Sequence, residues 1–192
     1  MNLPPVAVLC HPHPAHGGTM HDKVVHRIGR GLLESGIAVL RFNFRGVGLS
    51  AGEHTGGPGE REDIRAALDW VAARNPGADI LMAGFSFGAW NGLAVGAADP
   101  RVTRFVAAGL PIRTHPPKPF AGNGRPLLVL HGENDALCTP AQAQRFGRDW
   151  DGPAEVDLVR GADHGFEPHL SVVTEEVRRW LAGAATSSSR WV

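Results

Sequence analysis

Ile80-Leu81-Met82-Ala83-Gly84-Phe85-Ser86-Phe87-Gly88-Ala89-Trp90-Asn91-Gly92-Leu93-Ala94-Val95 decides the reading of this chain. A short apolar run leads into Gly84-Phe85-Ser86-Phe87-Gly88, and a second apolar stretch of helical character follows it. The order is strand, sharp turn, helix. A serine at the apex of such a turn is held in a strained, exposed conformation in which its hydroxyl can attack a carbonyl carbon. Glycines on either side are required because side chains there would collide with the adjoining strand and helix. The pentapeptide alone decides little, since a glycine-rich chain produces it by chance in roughly one sequence in ten. The weight rests on what surrounds it.

Six short, mostly apolar runs read as strands buried on both faces: Val6–Cys10, Ile37–Phe42, Asp79–Ala83, Val102–Ala108, Pro126–His131 and Ala154–Val159. Helical patterns alternate with them. Thr19 to Ser35 carries Val24, Val25, Ile28, Leu32 and Leu33 on one face, with Thr19 and Asp22 as a helix-start box. Glu60 to Arg74 carries Ile64, Ala67, Leu68 and Val71 and stops at Asn75-Pro76-Gly77. Helices are also expected after Ser86, from the capped start Thr139-Pro140, and from Ser171 to Leu181. This alternation predicts an α/β fold, a mostly parallel doubly wound sheet of about six strands with helices on both faces. Residues 1–183 read as one domain and 184–192 as a disordered tail. The proline- and glycine-rich stretch Pro111 to Arg125 reads as a long loop, which with Phe120 and Trp90 is expected to shape a pocket.

Ligand sites in such sheets gather at the carboxyl ends of the strands. A serine hydroxyl needs a base to take its proton and an acid to orient that base. Two strand ends beyond Ser86 supply them. Leu127–His131 leads into Gly132-Glu133-Asn134-Asp135, and Val156–Val159 leads into Gly161-Ala162-Asp163-His164. Ser86, Asp135 and His164 therefore fall on one rim in the order Ser, Asp, His, and are assigned as nucleophile, acid and base. Glu133 is an alternative acid; Asp163, adjoining His164, is badly placed to turn its carboxylate onto that ring.

Backbone donors for an oxyanion are expected from the amide of Phe87 and from the loop His11-Pro12-His13-Pro14-Ala15-His16-Gly17-Gly18. Pro12 and Pro14 lack an amide hydrogen, leaving His13 as the leading donor with Gly17 and Gly18 behind it. His11, His13, His16, His21 and His26 invite a metal reading, but the two stiffening prolines and the lack of a His-Glu-x-x-His helix favour a loop shaping the oxyanion pocket. No metal and no cofactor are expected. Cys10 and Cys138 read as packing residues. Asn43 to Ser50 has the glycines of a phosphate loop without its Lys-Ser/Thr ending, and reads as a turn at a strand end.

Composition removes other classes. Nineteen basic residues balance nineteen acidic ones, so nothing marks nucleic acid or an anionic membrane as a partner. Two cysteines make no disulfide framework, no apolar run reaches membrane-spanning length, and Met1-Asn2-Leu3-Pro4-Pro5 is no signal peptide, so a cytoplasmic setting is expected.

These stretches resemble the α/β-hydrolase superfamily, and within it the small, lidless bacterial branch related to dienelactone hydrolases. The likeness is carried by His11-Pro12-His13-Pro14 with Gly17-Gly18-Thr19-Met20 and Lys23-Val24-Val25, Arg41 to Ser50, Gly84–Gly88, His131 to Asp135 and Gly161 to His164. It spans about residues 6 to 182. The resemblance implies hydrolysis of a small carboxylic ester through an acyl-serine, with thioester hydrolysis or acyl transfer by the same acyl-serine as the alternative, and ligand binding without turnover as a third. Dienelactone hydrolases proper use a cysteine where this chain has Ser86, which argues against their substrate. The fold also opens with extra antiparallel strands, absent before Val6, so the sheet edge is expected to be bare or to meet a second copy of the chain. No insertion is long enough for a cap domain, which implies a shallow acyl pocket.

Overall fold

A computed structural model describes residues 3–115 and 124–187, with side chains described as far as residue 183. The strands are β1 (Val6–Cys10), β2 (Ala38–Arg41), β3 (Ile80–Phe85), β4 (Val102–Ala108), β5 (Leu127–Gly132) and β6 (Ala154–Val159). The helices are α1 (Lys23–Glu34), α2 (Pro58–Arg74), α3 (Phe87–Gly96), α4 (Pro140–Arg148) and α5 (Leu170–Ser187). All six strands pair in parallel, in the order β2-β1-β3-β4-β5-β6.

Strand alternation divides the core into two layers. Val6, Val8 and Cys10 of β1, with Ile80 and Met82 of β3, pack against α2, α3 and α4. Ala7 and Leu9, with Leu81, Ala83 and Phe85, pack against α1 and α5. Right-handed crossovers account for the sides: α1 connects β1 outward to β2, whereas α2, α3 and α4 all lead the chain the other way. The loops after β1 and β3 consequently diverge, and the sheet opens a crevice at their carboxyl ends. Among the described residues no segment forms a separate domain over that rim. The outer edge on this side is β2, whose Ala38 and Arg41 are exposed.

Several bounds differ from the sequence reading. Helix α1 begins four residues later than Thr19, because Asp22 is the capping residue, its Oδ1 accepting from the amides of Val24 (2.8 Å) and Val25 (3.2 Å). Strand β3 continues through Gly84 and Phe85, which stay in the ladder opposite Cys10, Ala107 and Ala108. Helix α5 runs past Leu181 to Ser187, into the segment expected to be disordered; residues 188–192 lie outside the described residues. The expected loop is described only as far as His115 and again from Gly124, so Phe120 also lies outside.

Helix α2 starts at Pro58 rather than Glu60 because Glu60 folds back on the chain before it. Its fully buried carboxylate accepts from the Gly57 amide (2.7 Å), the Thr55 amide and hydroxyl (both 2.9 Å) and His54 Nδ1 (2.8 Å). Burial alone would raise its pKa, but hydrogen bonds from the Thr55 amide, its own amide, the Thr55 hydroxyl and the Gly57 amide outweigh that and hold it down, from 4.5 to about 2. A folded-state pKa below the unfolded one means the unfolded chain takes up the proton first. The stabilisation is therefore present above about pH 4.5 and lost as pH falls towards 2, and amounts to about 3 kcal/mol. Urea titrations should show Glu60→Gln losing most of that at pH 7 and having a flatter stability profile across this window; a variant profile parallel to the parent's would contradict it.

Candidate active site

Ser86 sits between β3 and α3 with φ 53° and ψ −121°, a left-handed conformation for a residue with a side chain. Such a residue costs of order 1–3 kcal/mol and persists only when its surroundings force it. The surroundings are tight. A Cβ on Gly84 would lie 2.5 Å from the Ala89 amide nitrogen, and one on Gly88 would lie 2.3 Å from the His11 carbonyl oxygen. Both glycines are obligatory, and Gly88 brings the start of α3 against the loop after β1.

His164 Nε2 lies 3.0 Å from Ser86 Oγ, and His164 Nδ1 lies 2.7 Å from Asp135 Oδ2. The carboxylate accepts, so Nδ1 carries the proton and Nε2 turns a lone pair to the serine hydroxyl. Asp135 is buried and its Oδ1 accepts from the Leu137 amide at 2.7 Å. The alternative acids are engaged elsewhere: Glu133 Oε2 accepts from the Gly161 amide (2.9 Å) and Asp163 Oδ1 from the Glu167 amide (2.9 Å). Room for the imidazole depends on Gly109 at the end of β4. With φ 56°, a Cβ there would stand 3.2 Å from His164 Cε1 and 2.8 Å from the Phe85 ring. The Phe85 ring stacks on His164 at 5.1 Å between centroids.

Behind Asp135 lies His131, fully buried in β5. Its Nε2 lies 2.7 Å from the Cys138 carbonyl oxygen, which can only accept, so Nε2 is the protonated nitrogen. Burial pushes the His131 pKa down, which keeps the ring neutral. The remaining nitrogen, Nδ1, then presents a lone pair 3.7 Å from Asp135 Oδ2 and has no hydrogen-bond partner. His131 withholds a second donor from that oxygen and leaves it to His164.

Two backbone amides in the segments after β1 and β3 have no acceptor among the described residues. Phe87 is the first residue of α3, and its N–H has no acceptor among the described residues. In the loop after β1, a one-turn 3₁₀ helix (Pro14–His16) spends the later amides: Gly17 donates to Pro14 O (3.1 Å) and Gly18 to His13 O (3.1 Å). The His13 N–H is left without an acceptor among the described residues, and the His13 ring lies 4.7 Å from that of Phe87. The loop is fixed from below by His11, whose Nε2 accepts from the Phe44 amide (3.0 Å) while Nδ1 donates to Pro12 O (2.7 Å). Asn43 Oδ1 accepts from the Met20 amide (2.9 Å), and Arg45 forms a forked ion pair with Asp63. The Asn43–Ser50 turn thus braces the loop after β1 against α2.

The other histidines divide. His21 and His26 are exposed on and before α1, whereas His16 and His54 ring the crevice, each 4.8 Å from the His13 ring. Sequence reasoning did not single out His54, Glu60 or Gly109. Both cysteines are buried thiols, and burial raises that of Cys138 to about 12, so neither is a nucleophile at neutral pH. Among the described residues no helix is long and apolar enough to cross a membrane.

The parallel sheet, the strained serine between β3 and α3, and the histidine and carboxylate on the neighbouring strand ends define an α/β hydrolase. The chain belongs to that family: the profile of the alpha/beta hydrolase domain matches residues 5–192. It is similar to an alpha-beta serine hydrolase homologue from Coxiella burnetii, at 35% identity and a TM-score of 0.87, covering 94% of this chain and 86% of the other. A serine hydrolase without lid from Xanthomonas campestris is similar at 33% identity and a TM-score of 0.85, covering 94% and 84%. An uncharacterized protein of Rickettsia prowazekii is 36% identical over 186 residues, 92% of this chain and 78% of that one.

Proposed function

We propose that the chain is a serine esterase that hydrolyses small, soluble carboxylic esters through an acyl-serine. The observation that carries this reading is the unbroken line from Asp135 through His164 to Ser86, at 2.7 and 3.0 Å. Ser86 Oγ attacks the ester carbonyl carbon as His164 Nε2 takes its proton. The carbonyl oxygen becomes an oxyanion held by the Phe87 and His13 amides, where the start of α3 adds a favourable dipole. Asp135 holds the ring and stabilises the imidazolium. His164 then returns the proton to the departing alkoxide, which leaves as the alcohol. Water repeats the sequence on the acyl-serine and frees the acid. The reading requires no metal or cofactor, and the free cysteines are compatible with a cytoplasmic setting. Association of two copies through the β2 edge belongs to the same proposal.

The lack of any domain over the rim among the described residues supports a preference for short acyl groups. Across 4-nitrophenyl esters from acetate to decanoate, kcat/KM is expected to fall about tenfold or more beyond six carbons. A rise towards the long chains would refute the shallow site. Turnover of acyl-CoA in preference to every oxyester would replace esterase by thioesterase.

A further inference from the structure

We propose that Arg61 forms a fixed carboxylate-binding subsite beside Ser86, and that the esters hydrolysed carry a free carboxylate away from the scissile bond. The inference rests on Ser86 being the nucleophile and adds a substrate class to that reading.

Helix α3 is apolar and buried on nearly all sides, yet it contains Asn91, only 1% exposed. A buried amide is costly unless both ends are satisfied. Its Nδ2 donates to the carbonyl of Phe87, the residue after Ser86, at 2.9 Å. Its Oδ1 accepts from Arg61 Nε, also at 2.9 Å. The buried asparagine thus ties the guanidinium to the catalytic turn. Asn91 lies five positions after Ser86, about 7.5 Å along a helix axis. Through Asn91 the guanidinium is linked to the residue that follows Ser86, and the proposed substrate is a small dicarboxylic half-ester that spans from the serine to it.

Arg61 is half-buried, and among the described residues its two terminal nitrogens have no acceptor and no ion pair. The acids around it on α2 are committed elsewhere. Glu60 is saturated by Thr55, Gly57 and His54, Glu62 pairs with Arg65, and Asp63 pairs with Arg45. Arg125 shows what a structural arginine does in this fold: its terminal nitrogens donate to the carbonyls of Gly96, Ala97, Asp99 and Val102. Arg61 spends one nitrogen on its support, and among the described residues nothing occupies the fork.

His115, in the turn after β4, lies 5.9 Å from Trp90, the neighbour of Asn91. Burial, and then the Arg61 charge, lower its pKa, which marks the two as close. A planar guanidinium presents paired donors that match a carboxylate. One permanent positive charge suits a monoanion better than a dianionic phosphate.

The test compares 4-nitrophenyl hemiglutarate with 4-nitrophenyl pentanoate, matched in length, on the parent and on Arg61→Met at pH 7 and low salt. The parent should prefer the half-ester by about tenfold or more in kcat/KM, mainly through KM, and Arg61→Met should lose that preference. Calorimetry with monomethyl glutarate on Ser86→Ala, and on Ser86→Ala with Arg61→Met, reads binding without turnover. Heat of binding in the first protein and its loss in the second are expected. Pentanoate turnover with no preference for the half-ester, or a preference that survives Arg61→Met, overturns the subsite and leaves the esterase reading intact. Binding that depends on Arg61 without turnover of either ester supports the subsite and overturns the esterase reading. Tighter binding of inorganic phosphate than of monomethyl glutarate overturns the carboxylate assignment.

Discussion

Asp135→Asn is expected to lower kcat about 10⁴-fold while leaving the chain folded. Asparagine has nearly the shape of aspartate, and its Oδ1 can keep the bond to the Leu137 amide. The amide nitrogen then takes the place of Oδ2 and turns an N–H towards His164 Nδ1. That nitrogen must now accept, so the imidazole proton moves to Nε2 and faces the Ser86 hydroxyl, where a lone pair is needed. His131 makes this arrangement comfortable, because its unpaired Nδ1, 3.7 Å from Asp135 Oδ2, can accept the second amide hydrogen. The loss should fall on kcat with little change in KM, since the exchanged group lies behind His164 and does not reach substrate. Steady-state kinetics on a short-chain ester checks it, with thermal unfolding as the control for folding. A loss of less than tenfold would remove Asp135 from the proposed mechanism.

Ser86→Ala is expected to have the largest effect, a fall in kcat of about 10⁶-fold, as seen when a nucleophilic serine is removed from a complete triad. The fold should tolerate it. Alanine keeps the Cβ, so the strain at φ 53° is unchanged, and the deletion costs one hydrogen bond to His164 at a site only 7% exposed. Unfolding free energy is expected to stay within about 1.5 kcal/mol of the parent. A variant that retains ester hydrolysis would show that another group performs the attack.

The frame of this molecule was legible because short apolar runs have few other uses. The bounds of β1, β4 and β6 follow directly from Val6–Cys10, Val102–Ala108 and Ala154–Val159. The three chemical groups were legible by chain order and by their position just past strand ends, and the structure brings Ser86, His164 and Asp135 within hydrogen-bonding distance in series. What escaped was whatever depends on partners distant in sequence. The sequence pattern starts α2 at Glu60, and the start at Pro58 makes sense only once Glu60 is seen gathering donors from Thr55, Gly57 and His54. Thr19 and Asp22 are both good caps, and only the backbone path shows that Asp22 is the one used. Gly109 looks like an ordinary glycine after a strand, and its role as the space beneath His164 is a tertiary fact. Asn91 is similar: in a helix otherwise buried and apolar it reads as an anomaly, and its sense comes from Arg61, thirty positions earlier.

The most direct test of the proposal is covalent. A fluorophosphonate probe reacts with a serine only when a base has activated it and an oxyanion site receives the phosphoryl oxygen. Incubation followed by intact-mass measurement and peptide mapping should give one adduct per chain, on Ser86, and none on Ser86→Ala. An unlabelled parent protein, or an adduct that persists in Ser86→Ala, would contradict the assignment of Ser86 as nucleophile.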